Sequence, residues 1–215
     1  MSSPRKKESV LVIDIGSARV MCAYVTRDQN TTRVLATAKA LITPGHSFSS
    51  EHYCRSMLAA LRDCLIRLPK KYTTHSGRTL VTLSPLLTLS QLRTVHMDAM
   101  HNTALDVDFF ARAREQAAEL FLHDVGRGII IDDAIMHVAI NGYSIVEPLN
   151  KKGDFVDLTF YLSAIDEHIY ESIRSIVVAQ ARNNTLEFHA YAFAAWRALH
   201  HWTPVRDYLL VLSDG

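Results

Sequence analysis

The sequence predicts an α/β fold, in which a mixed sheet with a packed helix is interrupted by a smaller α+β insert. Two short apolar runs, Val10–Ile13 and Thr79–Leu83, have the composition of buried strands, and an amphipathic helical pattern lies between them. The alternation of strands and helices then becomes less regular. We therefore assign residues 9–85 and 186–206 to one α/β unit and residues 86–185 to the insert.

The first unit is expected to begin with three antiparallel strands. Val10–Ile13 is followed by a glycine turn, by a returning strand at Arg19–Thr26 and by a third strand at Arg33–Ile42, which together make a β-meander. A helix then begins at a cap formed by Ser49 or Ser50. Its apolar residues recur at the spacing of an amphipathic helix that packs on a sheet: Met57, Leu58, Leu61, Cys64, Leu65 and Leu68.

The predicted insert contains a helix, a hairpin and a second helix. The first helix begins at Asp106 or Asp108, and a long strand at Ile129–Ile140 follows it. Asn141–Gly142 is the strongest hairpin-turn dipeptide in the chain. Ser163, with an aspartate three positions later, resembles a capping box and predicts that the second helix begins there.

The last part of the chain is expected to return to the first unit and then leave it. Ala190–Trp202 predicts a helix that packs closely on a sheet, and Tyr208–Leu212 predicts a buried strand. A strand this apolar would leave an uncovered edge at the end of the chain. Residues 207–215 are therefore interpreted as the first strand of a truncated second lobe, and the chain as the N-terminal part of a longer protein.

Composition argues against several classes of function. The formal net charge of +1 gives no reason to expect nucleic-acid binding, and the one basic run lies in residues 1–8, which we interpret as a disordered tail. Cys22, Cys54 and Cys64 lack the spacing of metal ligands and fit a reducing cytoplasm. No apolar stretch reaches the length of about 18 residues that a membrane span needs. The chain itself is therefore not expected to span a membrane.

The candidate site lies at the end of the first strand. Asp14 follows the apolar run directly, and Gly16 and Ser17 come next. A carboxylate at the end of a buried strand is costly unless a cation, water or a phosphate group meets it. Taken alone, the same residues also fit a plain strand–turn–strand with Asp14 facing solvent.

The stretch DIGSARV at Asp14–Val20 resembles the first phosphate motif of the actin-like ATPases. The order of meander, helix, strand, insert, helix and buried strand supports this resemblance. The FtsA/PilM branch is the most similar, because Ile129–Val178 resembles the inserted 1C (SHS2) domain of FtsA and Leu186–Leu199 resembles the helix before the second phosphate loop. The resemblance implies an actin-like (ribonuclease H-like) first lobe that carries a small inserted domain.

The resemblance also implies that the full-length protein binds ATP and Mg²⁺. A tight hairpin after the first strand can direct successive backbone N–H groups at a phosphate, and its carboxylate would hold Mg²⁺ through water. Met21 stands where the filament-forming members often carry a basic residue, so Arg19 is the alternative cation. The nucleotide-binding residues implied are Asp14, Gly16, Ser17, Ala18 and Arg19 in the first loop, with Asp214 and Gly215 in the second.

The leading functional hypothesis is an FtsA-like scaffold in cell division. Such a protein is cytoplasmic and peripheral at the inner face of the cell membrane, links a tubulin-like division filament to that membrane, and self-associates through its insert. The resemblance implies that this chain contacts the membrane only indirectly or through a missing C-terminal segment. The alternatives are a PilM-like pilus assembly protein that binds a peptide of an inner-membrane protein, a nucleotide-free interaction module and a relative of sugar kinases. The resemblance implies at most weak ATPase activity, and a chain with half of the cleft is expected to be inactive alone.

Overall fold

The computed structural model describes residues 8–28, 31–43, 49–73, 77–99, 104–181 and 185–202. The predicted strand at residues 207–215, which includes Asp214 and Gly215, lies outside the described residues, as does almost all of the predicted tail at residues 1–8. No helix in the described ranges is both long enough and apolar enough to cross a membrane.

The described residues divide into two compact units, one formed by Thr88–Asp166 and the other by the chain before and after it. In chain order the elements are β1 (Glu8–Ile15), β2 (Arg19–Asp28), β3 (Thr31–Leu41), α1 (Ser50–Arg67), α2 (Lys70–Thr73), β4 (Arg78–Leu83), β5 (Thr88–Asp98), α3 (Val107–Val125), β6 (Gly128–Ile140), β7 (Tyr143–Ser144), β8 (Phe155–Asp166), α4 (Glu167–Ala181), β9 (Leu186–Ala190) and α5 (Tyr191–Trp202).

The first unit is built on a five-stranded sheet in the order β3-β2-β1-β4-β9. The meander β1–β2–β3 is antiparallel, whereas β1, β4 and β9 run parallel, so the predicted mixed sheet is confirmed. Alternate residues of β1 and β2 are buried on one face, which α1 covers. The core on this face comprises Leu11, Ile13, Ile15, Val20, Cys22 and Tyr24 from the strands and Met57, Leu61, Cys64 and Leu65 from the helix.

The helix α1 begins where the sequence indicates. The Ser49 side chain accepts a hydrogen bond from the His52 backbone N–H at 3.4 Å, so Ser49 is the N-cap. Near the other end of the helix, the Cys64 thiol lies 3.6 Å from the Val20 carbonyl oxygen. These contacts hold α1 against β2, immediately after the hairpin that carries the candidate site.

The second unit is an antiparallel four-stranded sheet, in the order β5-β8-β6-β7, with α3 packed on one face. Its turn between β6 and β7 has positive φ at Asn141 and Gly142, as the dipeptide predicts. The unit has a hydrophobic core of its own. That core comprises Val95, Ala99, Leu105, Phe109, Ala113, Ala117, Phe121, Val138, Ile140, Val156, Leu158, Phe160, Leu162 and Ala164.

The predicted capping box at Ser163 is wrong. Ser163 lies inside β8, is fully buried, and donates a hydrogen bond to the Asp132 carboxylate of β6. Helix α4 begins only at Glu167, and it packs against α1 in the first unit. The second compact unit stops at Asp166, whereas the insert is predicted at 86–185. The Ser163 hydroxyl therefore hydrogen-bonds a buried carboxylate and does not cap the N-terminus of a helix.

Candidate functional site

The candidate site is built around Asp14, at the carboxyl end of β1. The side chain is half-buried, and the Thr82 hydroxyl of β4 donates a hydrogen bond to its Oδ1 at 2.7 Å. Ligands of open α/β sheets bind beyond the carboxyl ends of parallel strands. The Asp14 carboxylate, held by Thr82 of the neighbouring strand, thus lies at the end of the parallel strands, where a ligand is expected to bind.

The hairpin that follows is fixed from three directions. The Gly16 N–H donates to the Arg19 carbonyl at 2.9 Å, and the Ile42 N–H donates to the Ala18 carbonyl at 2.9 Å. From α1, the Tyr53 hydroxyl donates to the Gly16 carbonyl at 3.1 Å. The loop is therefore held by β2, by the end of β3 and by α1.

These bonds correct the predicted anion nest in one respect. The Gly16 N–H is used to close the hairpin, so it does not point to an anion. The backbone amides of Ser17 and Ala18 are still the proposed donors to a phosphate group. Gly16 and Ser17 are half-buried, whereas Ala18 and Arg19 are exposed. The structure brings the five first-loop residues together in this hairpin, while the second loop lies outside the described residues.

A continuous row of side chains crosses the sheet through Asp14. Asp14 pairs with Met21 of β2 and with Thr82 of β4. Met21 pairs with Lys39 of β3, and Thr82 pairs with His189 of β9. Residues that pair directly across neighbouring strands point to the same face. The row Lys39–Met21–Asp14–Thr82–His189 therefore lies on the face opposite to α1.

A concavity of about 660 Å³ opens on this face, beside the meander. Among the described residues that line it, Asp14 and Lys39 are those with ionisable side chains on this face. The lining consists of Val12, Asp14, Met21, Cys22, Ala23, Thr37, Ala38 and Lys39. The sequence did not point to Lys39 or Thr82, because neither lies near the hairpin along the chain.

The donor set fits the cofactor that the resemblance implies. Mg²⁺ retains several waters and needs only one or two protein carboxylates, and Asp14 supplies one at the edge of the concavity. Among the described residues, no group of three or more His, Cys, Asp or Glu side chains is arranged to hold a metal directly. Asp14 is therefore the residue that would hold the ion, through water.

An ion pair holds β9, the edge strand opposite to β3, on the sheet. The Arg78 guanidinium of β4 donates two hydrogen bonds to the Glu187 carboxylate of β9, at 2.7 and 2.5 Å. The guanidinium holds the pKa of Glu187 below its usual value. This bidentate pair ties β9 to the sheet beside Thr82 and His189.

Neither a family model nor a curated protein matches the sequence. Among solved structures, the chain is similar to a PilM–PilN type IV pilus biogenesis complex, with 15% identity and a TM-score of 0.56 over 93% of this chain and 52% of that chain. It is also similar to a Bacteroides thetaiotaomicron protein of actin-like ATPase fold and unknown function, with 13% identity and a TM-score of 0.46 over 91% of this chain and 56% of that chain.

The chain thus spans about half the length of these two proteins. At 15% identity the first likeness concerns the fold alone, and it covers nearly the whole chain. The described sheet order and the inserted antiparallel unit agree with the fold that the sequence predicts. This chain has the actin-like ATPase fold.

Proposed function

We propose that this chain is the first lobe of an actin-fold scaffold that binds ATP with Mg²⁺ at the Asp14 hairpin. One observation carries the proposal: the Asp14 carboxylate, bonded to Thr82, lies at the carboxyl end of a parallel strand and borders a concavity of about 660 Å³. A carboxylate in this position has few partners of its own and suits a hydrated cation.

We propose a role for each residue of the site. Asp14 would orient the waters of the ion, and the Ser17 hydroxyl and the Ser17 and Ala18 amides would donate to phosphate oxygens. Arg19 is exposed at the hairpin and would neutralise phosphate charge. Asp214 and Gly215 would belong to a second phosphate loop. A site with these parts is suited to binding nucleotide, and we expect at most weak ATPase activity from the whole protein.

Replacing Asp14 tests the nucleotide site. Asp14→Asn keeps the size of the side chain and an acceptor for Thr82 but removes the charge that attracts Mg²⁺. We expect calorimetry to show Mg²⁺-dependent ATP binding by the protein and its loss, by about tenfold or more, in Asp14→Asn. Asp98→Asn is the matched control, because the Asp98 side chain is 94% exposed in the second unit. Equal Mg²⁺-dependent binding by Asp14→Asn would contradict the proposal.

For the cellular role, the FtsA-like hypothesis remains our first proposal, with a tubulin-like division filament as partner and self-association through the second unit. Its support is an exposed apolar hairpin in that unit, where Tyr143, Val146 and Leu149 are 76%, 82% and 51% exposed. Exposed apolar groups clustered in this way often mark contact surfaces.

The second candidate is a PilM-like role in pilus assembly, in which the protein binds a peptide of an inner-membrane protein. The observation that favours it is the similarity to the PilM–PilN complex over 93% of the chain. Deleting the gene in its host separates the two candidates. Filamentous, undivided cells with normal pili would support the division role, whereas loss of pili at normal cell length would support the pilus role and contradict the first.

A further inference from the structure

We propose that Lys39 supplies the cation that binds the phosphate chain of the nucleotide, in place of the apolar Met21. The proposal rests on the proposed nucleotide site and adds a residue to it from a different strand. Lys39 lies on β3, the edge strand of the sheet, two strands away from Asp14.

The register of the meander brings Lys39 into the site. β2 and β3 change register between Tyr24 and Val25, where β3 contains one extra residue. Without this bulge, the pairing that starts at the turn between β2 and β3 would continue unshifted, and Ala38 would pair with Met21. Lys39 would then point to the face that α1 covers. The bulge shifts the strand by one residue and exchanges the two faces. Lys39 therefore joins the row through Met21 and Asp14.

The charges around the concavity favour an anion beside Lys39. Of the described residues that line it, Lys39 is the only cation and Asp14 the only carboxylate. Within the described part of the chain, no ion pair neutralises the Lys39 ammonium group. The Arg67 guanidinium donates to the Lys39 backbone carbonyl at 3.1 Å, which fixes the strand at this position and leaves the side chain to the other face.

The spacing suits a phosphate chain with its metal. Two strand spacings separate the backbones at Asp14 and Lys39, about 10 Å. A lysine side chain extends over much of that distance, and the Met21 side chain between them adds no charge. A hydrated Mg²⁺ at Asp14 and phosphate oxygens at Lys39 would thus occupy neighbouring positions, with Arg19 at the hairpin end of the same face.

The test follows the backbone amides of Asp14 to Arg19 by NMR during a titration of ¹⁵N-labelled protein with Mg·ATP. Lys39→Met should weaken binding by about tenfold or more, the loss typical of a hydrogen bond to a charged group, and Lys39→Arg should retain it. The matched control is Arg33→Met, which removes the same charge from the same strand at the opposite end, where Arg33 pairs with Thr26. The double variant Met21→Lys with Lys39→Met moves the cation one strand closer and should restore binding.

The outcomes separate the two proposals. If the unmodified protein binds and Lys39→Met binds equally well, the role of Lys39 is refuted while nucleotide binding stands. If Arg33→Met weakens binding as much as Lys39→Met, the effect is one of net charge and the assignment also fails. Absence of any Mg·ATP-dependent shift in the unmodified protein, at millimolar nucleotide, would refute both. Thermal unfolding of each variant checks that the exposed substitutions leave the fold intact.

Discussion

At the scale of single residues, the local sequence around Asp14 indicates a candidate residue but not its hydrogen-bond partner. The cost of a carboxylate at the end of a buried strand makes Asp14 a candidate, although the same residues also fit a plain strand–turn–strand. Its partner Thr82 lies 68 residues further along the chain, on a parallel strand. No local pattern reveals such a pairing, because the crossover that brings the two strands together is set by the packing of the whole unit.

The cysteines carry a prediction at the same scale. Cys22 and Cys64 are 1% and 0% exposed and lie against each other between β2 and α1. The hydrogen bond with Cys64, together with burial, raises the pKa of the Cys22 thiol far above its ordinary value. The thiolate is the reactive form, so the raised pKa protects Cys22, whereas full burial shields Cys64 from the reagent. We therefore expect iodoacetamide at pH 8 to leave both residues unmodified in the folded protein and to modify all three cysteines in denaturant.

Mass spectrometry of the alkylated peptides measures this directly, and Cys54 serves as the internal reference because it is only half-buried. Rapid modification of Cys22 or Cys64 in the native protein would contradict the tight packing of α1 on β2. Alkylation of Cys54 alone would support the interpretation of the two buried thiols as apolar core residues.

At the scale of elements, the periodic segments were predictable and the irregular ones were not. The meander, α1 and α3 follow from alternation and from apolar residues at helical spacing, and the structure contains all of them. These signals are local, because the spacing of apolar residues within each strand or helix indicates which of its faces is buried. The mixed sheet was predictable from the order of the elements, in which a helix separates the meander from the next strand.

Two element-scale features have no such local signal. The bulge at Tyr24–Val25 changes which face carries Lys39, yet the sequence of β3 alternates small and apolar residues without marking an extra one. Ser163 carries the pattern of a helix cap, but a buried aspartate on β6 competes for its hydroxyl and the strand continues. In both cases the pairing with a neighbouring strand decides the local structure, with β2 for the bulge and with β6 for Ser163.

At the scale of the whole molecule, the second unit is predicted to fold by itself. Thr88–Asp166 contains its own sheet, a packed helix and a core that includes the fully buried Phe121 and Phe160. Expressed alone, this segment should show the circular dichroism of a mixed α/β protein and a cooperative thermal transition. Phe160→Ala is the control, since removing a buried phenylalanine costs about 3–5 kcal/mol, close to the whole stability of a small domain.

An unfolded spectrum for the unmodified segment would show that the unit needs the rest of the chain. A cooperative transition that Phe160→Ala abolishes would establish it as an independent domain. The sequence could predict that such an insert exists but not where it ends, because α4 follows β8 directly and its apolar stripe serves the core of the other unit.

The short hairpin between β1 and β2 has an evolutionary consequence. Because Ile15 pairs with Val20 and the loop between them is fixed on three sides, one inserted or deleted residue there would shift β2 and turn Met21 away from Asp14. The bulge in β3 has to be kept or lost together with any such change. Relatives that use this site should therefore keep the length of this loop, so that insertions accumulate elsewhere in the gene.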